Sequence, residues 1–121
     1  MKLTNVTIKV ESFEDGLKHF GEIYEKARKG ENVEPEKTLS FVNLGVMKQI
    51  LTTERLRLLK LIKEKSPKTI YELAKLAQRP YANVFRDVKK LAEMGLIDLS
   101  KENGSVRPIG KYDELKISLP L

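Results

Sequence analysis

The densest recognition chemistry in this 121-residue chain lies between Arg79 and Lys90. Arg79, Asn83, Arg86, Lys89 and Lys90 place guanidinium, carboxamide and ammonium groups within one short stretch. A guanidinium fork fits the O6 and N7 edge of guanine, and a carboxamide fits the N6 and N7 edge of adenine. Ammonium groups meet phosphate oxygens as point charges, which positions a protein without reading sequence. This is chemistry for holding a duplex, and bond-breaking chemistry is not matched anywhere. The chain has no cysteine and one histidine, His19, so thiolate metal sites and disulfides are excluded. No Ser/His/Asp set, glycine-rich phosphate loop or carboxylate pair in an apolar setting can be assembled. The expectation is a non-enzymatic protein without cofactor or metal. Asp87 is the acidic residue within the run, and it has two readings: a salt bridge to a basic neighbour, or acceptance from a cytosine amino group.

The residues around this run read as two short helices and a tight turn. Thr69 with Glu72 fits a capping box, opening a helix buried through Ile70, Leu73, Ala74 and Ala77. Gln78-Arg79 makes the turn, and Pro80 suits the first position of the next helix. That helix runs to Met94, buries Val84, Val88, Leu91 and Phe85, and stops at Gly95. Its opposite face carries Ala82, Asn83, Arg86, Lys89 and Lys90, with Arg79 and Tyr81 at the N-terminal end. Before this pair, Thr52 or Thr53 caps a helix over Glu54–Lys65 with Leu56, Leu58, Leu59 and Ile62 as its core stripe. Ser66-Pro67 breaks that helix. After Gly95, Leu96–Leu99 alternates as a strand, and Asn103-Gly104 signals a hairpin that returns through Val106–Ile109. The hairpin brings Lys101 and Arg107 as further basic groups. Pro108 must lie at an edge or kink, since it cannot donate to a ladder.

Charge placement supports the same region. The net charge is +6, yet residues 1–50 hold eight basic and eight acidic residues. Residues 55–90 hold eleven basic against three acidic, so the excess sits on the two-helix region and points to a polyanion. Hydrophobic content of 40% supplies a core, and 33% charged residues suit a soluble protein. No apolar run reaches the roughly 20 residues of a membrane span. With no signal peptide and no cysteine, the expected location is the cytoplasm.

The neutral first half reads as strand, helix, strand. Val6, Ile8 and Val10 alternate from Leu3 to Val10. Ser12 precedes a helix over Phe13–Lys29 whose apolar stripe is Phe13, Leu17, Phe20, Ile23, Tyr24 and Ala27. Gly30 stops it, and Glu31–Glu36 forms a polar connector. Leu39–Val42 is β-prone and able to pair with the first strand, Leu44–Leu51 is short and helical, and Leu115–Leu119 is a last strand. This apolar surface exceeds the needs of a 70-residue domain. It either extends one core or pairs with a second copy.

From Leu51 onward the chain resembles the winged-helix transcription regulators of the MarR-like and ArsR-like group. The resemblance rests on Leu51-Thr52-Thr53-Glu54-Arg55-Leu56, Ile70-Tyr71-Glu72-Leu73-Ala74, Arg79-Pro80-Tyr81-Ala82-Asn83-Val84-Phe85-Arg86-Asp87-Val88, Leu91 and Gly95-Leu96-Ile97. It implies a winged helix-turn-helix over 51–121 and a homodimer; with the strand-helix-strand extension read over 1–50, the expected fold is α+β, mostly helical, and the extension is expected to make the dimer. The expected function is a sequence-specific regulator of transcription, a repressor, with its third helix in the major groove of double-stranded DNA. The expected DNA contacts are Thr69, Arg79, Tyr81, Ala82, Asn83, Arg86, Lys89, Lys90, Lys101 and Arg107. Two alternatives stand beside this: a protein–protein winged helix, or an antitoxin-like autorepressor binding a partner through its N-terminal arm. An effector ligand is compatible with either.

Overall fold

The computed structural model describes residues 4–31 and 37–121. Leu3 and most of the expected polar connector, residues 32–36, lie outside the described residues. The described chain is α+β, in the order β1 (Asn5–Val10), α1 (Phe13–Arg28), β2 (Thr38–Phe41), α2 (Leu44–Ile50), α3 (Thr53–Lys65), α4 (Ile70–Ala77), α5 (Tyr81–Glu93), β3 (Ile97–Glu102), β4 (Ser105–Gly110) and β5 (Glu114–Ser118). It divides into two compact units. One holds Leu51–Asp113 with Thr4; the other holds Asn5–Ile50 with Glu114–Leu121. No described helix is long and apolar enough to cross a membrane.

In the Leu51–Asp113 unit, each helix has an identifiable start and stop. Thr52 Oγ1 accepts from Arg55 N at 3.2 Å and opens α3. Leu58 and Ile62 are its buried pair, whereas Leu56 is exposed. The expected stripe thus turns out to be centred on Leu58, because burial at Ile62 selects the i−4 position on the same face. Thr69 Oγ1 accepts from Glu72 N at 3.0 Å, as a capping box requires. The Glu72 carboxylate reaches Lys68 N, at 3.1 Å, one residue earlier than the usual reciprocal bond. α4 buries Ile70, Leu73, Ala74 and Ala77. Its C-cap, Gln78, adopts the left-handed conformation at φ 55°, and this compresses the link to α5 into three residues. Pro80 is the N-cap of α5 and not its first helical residue. α5 buries Val84, Val88 and Leu91, while Phe85 is exposed against expectation and stacks on Tyr81 with centroids 6.0 Å apart. Phe85 is one residue from Val84, a rotation of about 100°, which carries it off the buried side.

At the end of α5, Gly95 takes φ 76°, and Leu96 N and Gly95 N close onto Leu91 O and Ala92 O. These two hydrogen bonds make the Schellman stop, whose positive φ glycine adopts without strain. β3 and β4 then pair antiparallel, with Glu102 opposite Ser105 and only Asn103-Gly104 between them. Both turn residues have positive φ, 50° and 79°, the geometry that matches strand twist. Asp113 fastens the far end of this unit. Its carboxylate meets Lys63 Nζ at 2.7 Å and accepts from Thr4 N at 3.0 Å, and its own N–H donates to Thr4 O. The hydrogen bond from Lys63, then that from Thr4, hold its carboxyl below the usual carboxylate range.

The second unit is a three-stranded, all-parallel sheet in the order β2-β1-β5. Register explains its two faces. Ile8 lies beside Leu39 and Ile117, Val10 beside Phe41, and Val6 beside Leu115, which makes one apolar face. Thr7 lies beside Thr38 and Lys116, and Lys9 beside Ser40 and Ser118, which makes the other face polar. Parallel neighbours need a crossover, and α1 supplies it between β1 and β2. Ser12 caps α1 by accepting from Asp15 N at 3.2 Å. The amphipathic stripe expected on α1 is present, but no residue of the helix is buried.

Candidate nucleic-acid interface

The surface of α5 is set by what its other side buries. With Val84, Val88 and Leu91 inward, a rotation of about 100° per residue puts Ala82, Arg86, Lys89 and Glu93 at the centre of the outward face. Asn83 and Lys90 lie on one flank of that line; Tyr81 and Phe85 lie on the other. Ala82, Asn83, Arg86 and Lys89 are exposed and Lys90 is half-buried. Arg86, Lys89 and Lys90 make no ion pair among the described residues. Pro80 gives α5 no side-chain cap, so the amides of Tyr81 and Ala82 open outward as at any helix start.

Arg79 belongs to a different arrangement. Its Nη1 lies 2.9 Å from Asp87 Oδ2, and its Nε lies 3.6 Å from Glu54 Oε2. Asp87 Oδ1 accepts from Arg55 Nε at 3.1 Å. Asp87 is 14% exposed and Arg79 21%, so a carboxylate clamped by two guanidiniums ties α3, the turn and α5 together. Of the two readings of Asp87, the structure matches the salt bridge, with Arg55 and Arg79 as partners. Arg57 Nη1 donates to Ala77 O at 3.2 Å, satisfying a carbonyl at the end of α4. Three arginines near the turn therefore already have partners, whereas Arg86, Lys89 and Lys90 of α5 have no acidic partner among the described residues.

The other expected contacts are scattered around this face. Thr69 Oγ1 is occupied in capping α4. Lys101 is exposed on β3, one residue from the end of the strand and two from the Asn103-Gly104 turn. Arg107 lines a small cleft with Lys63, Ser66 and Gly110, which places it toward the end of α3 and away from the hairpin tip. Two features were not foreseen from the sequence. Phe85 joins Tyr81 as an exposed aromatic pair, and Lys75 sits 4.7 Å above the exposed Tyr71 ring on α4. The signal for both was helical phase: positions 71 and 75, like 81 and 85, are four apart on faces that the buried residues leave open.

Comparison with the curated proteins finds no match. The profile of a protein family described as HVO_A0114 matches residues 50–117. That span covers more than half of the chain and contains every residue of the α5 face, the ion-pair cluster and the hairpin. The chain belongs to the HVO_A0114 family.

Proposed function

We propose that Leu51–Asp113 is a winged helix-turn-helix that binds double-stranded DNA sequence-specifically, as a regulator of transcription. In this reading α5 enters the major groove, α4 braces it, and the β3–β4 hairpin is the wing. One observation carries the proposal: the basic residues on the outward face of α5 lack acidic partners among the described residues, while the arginines around the turn are paired. A folded surface leaves Arg86, Lys89 and Lys90 unneutralised at little cost only when a polyanion or water completes them. Arg86 and Asn83 then read base edges, and Lys89 and Lys90 hold phosphates. The turn arginine, Arg79, supports the α5 start from behind through Asp87.

Selection of bound sites from random duplex DNA, followed by gel shifts on the enriched site, tests this. Arg86→Ala is expected to lose about 1–3 kcal/mol of discrimination between the enriched site and a scrambled one. Lys89→Ala is expected to weaken both duplexes alike. A full-length protein that enriches no sequence and shifts no duplex at low salt contradicts the proposal.

A further inference from the structure

Phe85 and Tyr81 put an apolar patch beside the basic residues of α5. They are 43% and 48% exposed, and their rings stack with centroids 6.0 Å apart and 28° between planes. Apart from Ala82, every other exposed side chain of the helix is polar or charged. A pair four residues apart steadies a helix only slightly, so helix formation does not account for two large rings held in water. Their neighbours indicate what kind of surface meets them. Arg86 follows Phe85 directly, Lys89 lies one turn beyond it, and neither has an acidic partner among the described residues. A partner for this flank therefore presents anionic groups and an apolar group side by side.

We propose that Tyr81 and Phe85 read the C5-methyl group of a thymine in the major groove. The inference rests on the DNA-binding reading of α5 and adds the base that its aromatic flank selects. The major-groove edges of the bases are otherwise hydrogen-bond donors and acceptors, so that methyl is the one apolar group there, and apolar side chains recognise it by contact. Helical phase gives α5 a division of labour. Asn83 lies on one flank for adenine, Arg86 near the centre for guanine, and the aromatic pair on the other flank for thymine. Ala82 falls between the pair and Arg86 in phase, and its small side chain leaves the backbone room to approach the base edges. Phe85 and Arg86 leave the helix about 1.5 Å apart along its axis, against about 3.4 Å between base pairs, so the thymine lies within about two base pairs of the one that Arg86 contacts. The stack favours a methyl group over a splayed base, because each ring already lends one face to the other. The Tyr81 hydroxyl, at the helix start, is left to donate to a phosphate.

Uracil substitution in the duplex enriched by site selection tests this on the full chain. Exchanging the thymines for uracil one at a time removes a methyl group and leaves base pairing unchanged. One exchange, within about two base pairs of the position that Arg86→Ala relaxes, is expected to weaken binding about fourfold, the worth of one buried methyl group. Phe85→Ala is expected to weaken the thymine duplex by a similar factor and then to bind the thymine and uracil duplexes alike. Phe85→Leu, still apolar, keeps part of the preference. The uracil series is read on the native protein, so the outcome does not hang on how well a variant folds. Enrichment of no sequence overturns the DNA-binding reading and this inference with it. An enriched site that depends on Arg86 but holds no thymine, or is indifferent to every uracil exchange, overturns this inference alone. So does a Phe85→Ala protein that keeps the full preference for thymine. A native chain that binds single strands more tightly than the duplex, and loses this with Phe85→Ala, also overturns it and assigns the rings to stacking on unpaired bases.

Discussion

Asp87 separates two arginines that look alike in the sequence. Arg79 and Arg86 flank the start of the same helix, but Asp87 and Glu54 hold the first, and the second is exposed with no ion pair among the described residues. The cluster is half-shielded, so removing its carboxylate leaves two guanidiniums without an acceptor. Asp87→Ala is therefore expected to destabilise the fold by about 2 kcal/mol, whereas Arg86→Ala should leave stability within about 0.5 kcal/mol of the native protein. Urea denaturation of the two variants checks this, and equal loss in both would contradict the division of roles. The outward position of Arg86 was legible because the buried spacing Val84–Val88–Leu91 fixes the phase of α5. The pairing of Asp87 with Arg55 was not legible, since the partners lie 32 residues apart and no local pattern marks them. Arg79 is placed in the ion-pair cluster for the same reason: its acceptors come from a helix turn and a neighbouring helix that sequence spacing does not bring together.

At the scale of elements, the stops and starts do much of the positioning. The αL turns at Gln78 and Gly95 set where α5 begins and where the hairpin departs. Gly95→Ala forces a Cβ into φ 76° and should cost about 1 kcal/mol, read as a lowered urea midpoint. Gly21→Ala in α1, where the helix is right-handed and the Cβ site is open, should not lower it. If both substitutions were neutral, the Schellman stop would not be what ends α5. Caps, breaks and the Asn103-Gly104 turn were readable in the sequence because each depends on a few adjacent residues. The environment of α1 was not. A stripe at helical spacing shows that a helix has an apolar side and says nothing of what covers it.

Over the molecule, stability should track pH through Asp113. Its carboxyl titrates lower in the folded protein than in the unfolded chain, chiefly through Lys63. The stabilisation is therefore complete above the unfolded value, near 4 for an aspartate, and fades as pH falls through the lower folded value. Asp113→Asn is expected to be less stable than the native protein at pH 7 and to converge with it as the pH falls below the unfolded value. Urea midpoints across that range provide the check, and a gap that stays constant would show that the carboxylate charge is not what matters. If the proposed DNA binding holds, affinity should also fall steeply between 50 and 200 mM salt, on the order of tenfold or more, as counterions return to the phosphates.

The return of β5 to β1 has a consequence for how the chain acquires this structure. Asn5 and Glu114 pair across the sheet, 109 residues apart, like Thr4 and Asp113 beside them. Along the sequence the other unit is thus interrupted, between β1 and β2 on one side and β5 on the other, by Leu51–Asp113. During synthesis it can fold as soon as it leaves the ribosome. The sheet must wait, holding β1 and β2 with one edge of β1 unpaired, until the strand that completes it has been made.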